Sequence, residues 1–105
     1  MLLLAFDTAT PAVSVALLDG VGPAAGTVAE TVTVDARRHG ELLAPGIDRV
    51  FAEAGRSRRE VTDIAVGVGP GPFTGLRVGL VTAYVLGDTL GVPVHGVCTL
   101  DVLAY

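Results

Sequence analysis

Hydrophobic periodicity places this 105-residue chain among the α/β proteins. Three observations carry the assignment. The first third is a short apolar run followed by two segments that alternate with a period of two, and short turns separate the three. The remainder switches between helical spacing and short apolar runs. The later apolar runs are separated by stretches long enough for crossover helices, as parallel strands require. The predicted order is β-β-β-α-β-α-β-α, a five-stranded mixed sheet with helices packed on it.

Residues 2–6, LLLAF, form a short apolar run that ends at Asp7 and predict a strand buried on both faces. After the turn-like DTATP, residues 12–19 alternate Val13, Val15 and Leu17 with Ser14 and Ala16, which predicts a second strand. DGVGP, residues 19–23, is a turn. Residues 26–36, rich in Thr and Val, alternate again, and the short loops make the three strands an antiparallel meander. The period then changes. Leu43, Ile47, Val50, Phe51 and Ala54 recur at helical spacing over residues 41–54, with Gly55 as a stop and Pro45 in or just after the first turn. IAVGVG, residues 64–69, predicts a buried strand. Residues 75–90 predict a second helix, with Thr74 as N-cap and Gly91 and Pro93 marking the exit. PVHGV, residues 93–97, is a fifth strand, and TLDVLAY begins a third helix that the chain end cuts short, so further chain is expected in the intact protein.

A hairpin meander followed by β-α-β crossovers is the ribonuclease-H-like lobe used by actin-like ATPases, sugar kinases and many nucleases. Length and composition fit one such lobe over residues 1–105, since half of the residues are hydrophobic and 17% are charged. No apolar stretch reaches the roughly 18 residues of a membrane helix. The N-terminus lacks a basic segment and meets Asp7 too early for a signal peptide, so a cytoplasmic, membrane-free protein is expected. The single cysteine, Cys98, excludes an internal disulfide and a thiolate cluster for zinc, and suits a small core residue in a reducing compartment. The net charge of −4 makes the domain a poor stand-alone binder of a phosphate backbone, so any nucleic acid is expected to be held through another protein.

The candidate chemistry begins at Asp7, where nucleases of this fold place a metal-binding carboxylate. A two-metal site needs several converging carboxylates. The end of the fourth strand offers Gly-Val-Gly-Pro-Gly instead, and Asp63 stands at the wrong end. DTAT, with Asp7, Thr8 and Thr10, is also placed like the first phosphate loop of actin-like ATPases. The competing reading, an Asp/Thr turn that satisfies its own backbone, is favoured. Gly69 and Gly71 belong to a glycine-rich loop that follows a strand and opens a helix, a place where free N–H groups bind anions. That loop lacks both the GK[ST] ending of a P-loop and GxGxxG spacing. His39 and His95 have no histidine partner at helical spacing, so no metal site is predicted, and no Ser-His-Asp arrangement is evident.

Within the second helix, Gly75, Gly79, Ala83 and Gly87 recur every four residues and form a stripe of small side chains. Each helical glycine costs about 1 kcal/mol relative to alanine, so a close approach must compensate. The other faces carry Leu76, Val78, Leu80, Val81, Tyr84, Val85 and Leu86, with Arg77 and Asp88 the charged residues. A helix this apolar is expected to be buried nearly all round. One face suits the sheet, and the rest calls for another helix, from this chain or from a partner.

LLAFDTATPAVSVALL, RRHGELLAPGI, GVGPGPFTGLRVGLVTA and GVPVHGVCTLDVLAY together resemble the N-terminal lobe of the TsaB (YeaZ) family, a bacterial component of the machinery for tRNA threonylcarbamoyladenosine biosynthesis. The resemblance runs from residue 2 to 105, is weakest at 20–30, and is most specific in GPGxFTGLRxG. It implies an actin-like ATPase/sugar kinase/Hsp70 fold with a second, C-terminal lobe outside this chain. It also implies a non-catalytic scaffold that pairs with the catalytic subunit TsaD, recruits the ATPase TsaE and self-associates through the same surface when alone. The complex uses ATP and reaches tRNA, whereas no cofactor is implied for this chain. TsaD carries a metal-binding histidine pair, which His39 lacks a partner to form. Carried onto this chain, the partner surface is helices 41–54 and 75–90, with Leu42, Gly46, Arg49, Gly75, Gly79, Ala83, Tyr84 and Gly87 as interface residues. Pro72 stands where the family usually has Ser, and Val85 where it often has Gly. The alternative function is a nucleotide-binding ATPase or sugar-kinase-like lobe built on DTAT and the glycine loop.

Overall fold

A continuous apolar run and two segments of period-two alternation form the first three strands. In the computed structural model these are β1 (Leu2–Asp7), β2 (Ala12–Asp19) and β3 (Gly26–Val34). They are followed by α1 (His39–Ala54), a short 3-10 turn at Arg58–Glu60, β4 (Asp63–Gly67), α2 (Phe73–Leu90) and β5 (Val94–Val97). The structure describes residues 1–8, 12–20, 26–34, 39–69 and 73–97, with the backbone alone at 12, 33–34, 39–42 and 73–76. The third helix expected at 99–105 lies outside the described residues.

The strands form one sheet in the order β3-β2-β1-β4-β5. β2 runs antiparallel to both β1 and β3, whereas β4 runs parallel to β1 and to β5, as the meander-then-crossover pattern predicted. β1 is central. Its Leu4 pairs with Leu17 on one side and Ile64 on the other, and Phe6 with Val15 and Val66. These six side chains share one face and are buried to 2% exposure or less. On the opposite face Ala5, Ala65 and Leu18 form a smaller buried cluster, so β1 is apolar on both faces.

Two crossovers, β3 to β4 and β4 to β5, run in the same direction across the sheet. Connections of one hand therefore put both helices on the same face. Leu43, Ile47, Val50 and Phe51 of α1 and Ala83 of α2 accordingly join one core cluster with Phe6, Val15 and Val66. Both helices end in αL glycines, Gly55 (φ +64°) and Gly91 (φ +67°). The following N–H groups donate back into the last turn, Arg56 to the Phe51 carbonyl (3.2 Å) and Val92 to that of Gly87 (3.0 Å).

Three sequence expectations are corrected in detail. α1 begins at His39 and not at residue 41, and Pro45 lies just after its first turn as expected, where the missing N–H leaves the Glu41 carbonyl without its usual donor. α2 begins at Phe73, so Thr74 lies inside the first turn and does not cap it. The fourth strand ends at Gly67, short of the expected Gly69, whose φ of +108° leaves the strand conformation.

Candidate functional site

Two regions gather the residues that the sequence singled out. The first is the carboxyl end of the parallel strands. Asp7 closes β1 and Gly67 closes β4, side by side in the sheet. The Asp7 carboxyl lies directly over Gly67: a methyl group added there would stand 2.8 Å from Oδ1 and closer still to Cγ. Thr8 points the other way, into α2. Its Oγ1 accepts a hydrogen bond from the Gly79 N–H at 3.1 Å. A Cβ at Gly79 would sit 2.7 Å from the same oxygen. Gly67 and Gly79 are thus glycines because Asp7 and Thr8 occupy the space a side chain would need. Both Asp7 and Thr8 are only 1% exposed. The hydroxyl that an ATPase would offer to phosphate is here bonded to a helix amide. Gly69 is buried nearby, while Thr10 and Gly71 lie outside the described residues.

The second region is the outer side of the helix pair. Three residues at i, i+3 and i+4 on α2 point away from the sheet: Val81 (61% exposed), Tyr84 (66%) and Val85 (58%). Beside them a groove of about 240 Å³ runs between the helices, lined by Ala44 and Ile47 of α1, by Thr82, Val85 and Leu86 with Val81 of α2, and by Arg58. Arg77 and Asp88, one turn beyond the strip at either end, are exposed on the same side. A soluble helix ordinarily turns charge outward, and an outward strip of Val, Tyr and Val is the pattern of a surface awaiting cover.

The expected small-residue interface is corrected by this geometry. Gly79, Ala83 and Gly87 face inward. Gly79 abuts Thr8 and Val66, Ala83 is fully buried in the core, and a Cβ at Gly87 would meet Val94 Cγ2 at 2.5 Å and the Val92 carbonyl at 3.2 Å. On α1, Gly46 also approaches the sheet, with Val15 Cγ2 at 3.2 Å from its notional Cβ. The stripe lets α2 lie close on bulky strand side chains, so the compensating contact is with the sheet of the same lobe. Of the expected interface residues, Arg49 and Tyr84 are exposed, and the side-chain positions of Leu42 and Gly75 lie outside the described set. Val81 and Val85 belong with Tyr84, and their i, i+3, i+4 spacing was the signal for them.

Several other polar side chains pair with one another. Arg56 bridges Asp19 (2.8 Å) and Glu60 (2.9 Å). The hydrogen bond from Arg56 holds the Asp19 carboxyl below its usual range, and the Ser57 N–H, then Arg56, do the same for Glu60. Asp63 is lowered by the Thr62 hydroxyl and then by His95, whose Nε2 lies 3.1 Å away. Arg58 pairs with Asp48 and lies over the Phe51 ring at 5.7 Å. Among the described residues, no three His, Cys, Asp or Glu side chains are grouped to hold a metal, and no helix is long and apolar enough to cross a membrane.

Residues 26–105 match the family model described as TsaD, tRNA N6-adenosine threonylcarbamoyltransferase. The chain belongs to this family. Within it the chain groups with the TsaB (YeaZ) proteins. It is 36% identical over 104 residues to the Escherichia coli protein named tRNA threonylcarbamoyladenosine biosynthesis protein TsaB, an alignment covering 99% of this chain and 43% of that protein. An uncharacterized Mycobacterium leprae protein is 49% identical over 102 residues, 97% of this chain and 28% of the relative. The solved structure of YeaZ from Pseudomonas aeruginosa superposes with a TM-score of 0.82 at 37% identity, over 93% of this chain and 45% of that one. The chain thus spans less than half the length of these TsaB-related proteins. The TsaB likeness also confirms the α/β lobe of ribonuclease-H-like type.

Proposed function

We propose that this lobe is a non-catalytic scaffold subunit of the machinery that forms N6-threonylcarbamoyladenosine beside the anticodon of tRNAs reading codons that begin with A. It binds and supports the catalytic threonylcarbamoyltransferase subunit, TsaD, through the outer face of α1 and α2. The observation that carries the proposal is the exposed strip Val81, Tyr84 and Val85 beside an apolar groove. The name of the E. coli relative and the description of the family supply the pathway. In the absence of the catalytic subunit the same face pairs two copies of the chain. The ATPase TsaE and tRNA are reached through the assembled complex, in the cytoplasm. The chain carries no cofactor of its own, a reading supported by the buried Asp7 and by Thr8, whose hydroxyl is engaged with α2.

The test is sedimentation of the chain with and without the catalytic subunit, for the wild type and Tyr84→Ala. The wild type forms a mixed complex, and Tyr84→Ala weakens it while its unfolding midpoint stays unchanged, because the side chain is two-thirds exposed. Equal complex formation by both proteins refutes the assignment of the face. Micromolar binding of magnesium-ATP to the isolated chain in a calorimeter would instead support the nucleotide-hydrolysing alternative.

A further inference from the structure

We infer that Thr8 is a positioning residue for the partner face: its buried hydroxyl sets how α2 seats on the sheet, and so where Val81, Tyr84 and Val85 stand. The inference rests on the assignment of that face as the partner surface.

Thr8 and Gly79 are 71 residues apart in sequence, and their 3.1 Å hydrogen bond ties the end of the central strand to the second turn of α2. The amide involved is one that a regular helix aims at the carbonyl four residues back, that of Gly75. The hydroxyl therefore adds a directional contact from outside the helix. α2 also lies close to the strands here, since a Cβ at 79 would stand 2.7 Å from Thr8 Oγ1 and 3.5 Å from Val66 Cγ2. Further along, α2 seats on the sheet by apolar packing, Ala83 in the core and Gly87 against Val94.

The two ends of the helix are therefore held differently. The C-terminal end is fixed by the Gly87–Val94 approach and by the Val92 N–H bond to the Gly87 carbonyl. In the N-terminal half the Thr8 hydroxyl adds a directional contact to the packing of Val78 and Leu80 against the core. Losing the hydroxyl lets α2 tilt about its C-terminal end, and the displacement grows toward the N-terminus. Val81, roughly 3 Å along the axis from Gly79 and on the opposite side of the helix, moves more than Val85. A partner seated across the strip and groove senses that tilt although it never touches Thr8, which is 1% exposed.

The experiment measures affinity for the catalytic subunit by calorimetry with Thr8→Val, Thr8→Ser and Tyr84→Ala, alongside backbone amide shifts of residues 77–90. Thr8→Val keeps the shape and removes the hydroxyl. It is expected to weaken binding roughly three- to tenfold, the scale of one lost hydrogen bond. Its amide shifts should change more at 77–82 than at 86–90. Thr8→Ser keeps the hydroxyl and should return binding to within about twofold of the wild type. Wild-type affinity for Thr8→Val, with binding lost in Tyr84→Ala, overturns the positioning role and leaves the partner face standing. Equal weakening by Thr8→Val and Thr8→Ser also overturns it. Unchanged binding by Tyr84→Ala removes the partner face and this inference with it. Should Thr8→Val not fold, Gly79→Ala is measured in its place: weaker binding supports the role, and wild-type binding refutes it.

Discussion

Gly79→Ala puts two effects of opposite sign in competition, and the structure says which wins. Alanine is a better helix former than glycine by about 1 kcal/mol, so in an open position the change would stabilise. At 79 the new Cβ arrives 2.7 Å from Thr8 Oγ1, closer than carbon and oxygen pack. Relief requires α2 to lift or Thr8 to rotate, and either move loses the 3.1 Å hydrogen bond. Losing that bond costs about 0.5–1.5 kcal/mol, and overpacking about 1–3 kcal/mol. The net expectation is destabilisation by about 1–3 kcal/mol. In a Thr8→Ala background the offending oxygen is gone, and the nearest remaining neighbour, Val66 Cγ2 at 3.5 Å, is in ordinary contact. There Gly79→Ala is neutral or stabilising by up to about 1 kcal/mol. Urea unfolding of the four proteins, followed by far-ultraviolet circular dichroism, closes the cycle with a coupling of about 1–4 kcal/mol. Changes agreeing to within about 0.5 kcal/mol in the two backgrounds would refute the idea that Thr8 occupies the space of the missing side chain.

Ala83→Leu overfills a fully buried position, so it lowers stability by about 1–3 kcal/mol in urea unfolding, and any loss of partner binding follows from that. Val81→Asp, at a site 61% exposed, shifts the unfolding free energy by no more than about 0.5 kcal/mol, yet abolishes complex formation with the catalytic subunit in sedimentation. In the folded state Arg56 depresses the Asp19 carboxyl, and the Ser57 N–H followed by Arg56 depresses that of Glu60. That stability is complete above the unfolded-state values of about 3.9 and 4.3 and is lost as pH falls through the lower folded values. Arg56→Gln therefore narrows the difference between the urea midpoints at neutral pH and at about pH 3.

The order of elements along the chain and the inward face of α1 were legible because most segments had a clear period. Val13, Val15 and Leu17 point one way, and Leu43, Ile47, Val50 and Phe51 make one stripe. α2 was harder because it is apolar nearly all round, so periodicity cannot tell its inside from its outside. The small-residue stripe is ambiguous for the same reason, since small side chains serve a helix–helix contact and a helix–sheet contact alike. Volume decides between them. The strand residues beneath α2 are Val66, Val94 and Thr8, all β-branched, and a helix descends onto such a surface only where its own side chains are small. The Thr8–Gly79 bond and the Asp7–Gly67 contact were beyond pattern reading because each joins residues 60 or more positions apart, which only the β1–β4 pairing and the α2 crossover bring together.

That inversion strengthens the argument for a partner. Had the stripe faced outward, the bulky residues would have been spent on the sheet, leaving an exterior of glycine and alanine that offers little apolar area. With the small residues inside, Val81, Tyr84 and Val85 are forced outward by the geometry of a helix, since they stand on the far side of it from the stripe and have nowhere else to go. Full burial of a side chain of this size contributes about 1.5–3 kcal/mol, so three of them beside a groove are enough for a protein contact when their centres are covered together. The strand-end residues are disposed in the opposite sense. Asp7 and Thr8 are turned into the lobe, where they fix β1 against Gly67 and α2. In the residues described, the polar groups that an actin-like ATPase would present to a ligand are turned into the lobe, and the back of α2 exposes Val81, Tyr84 and Val85.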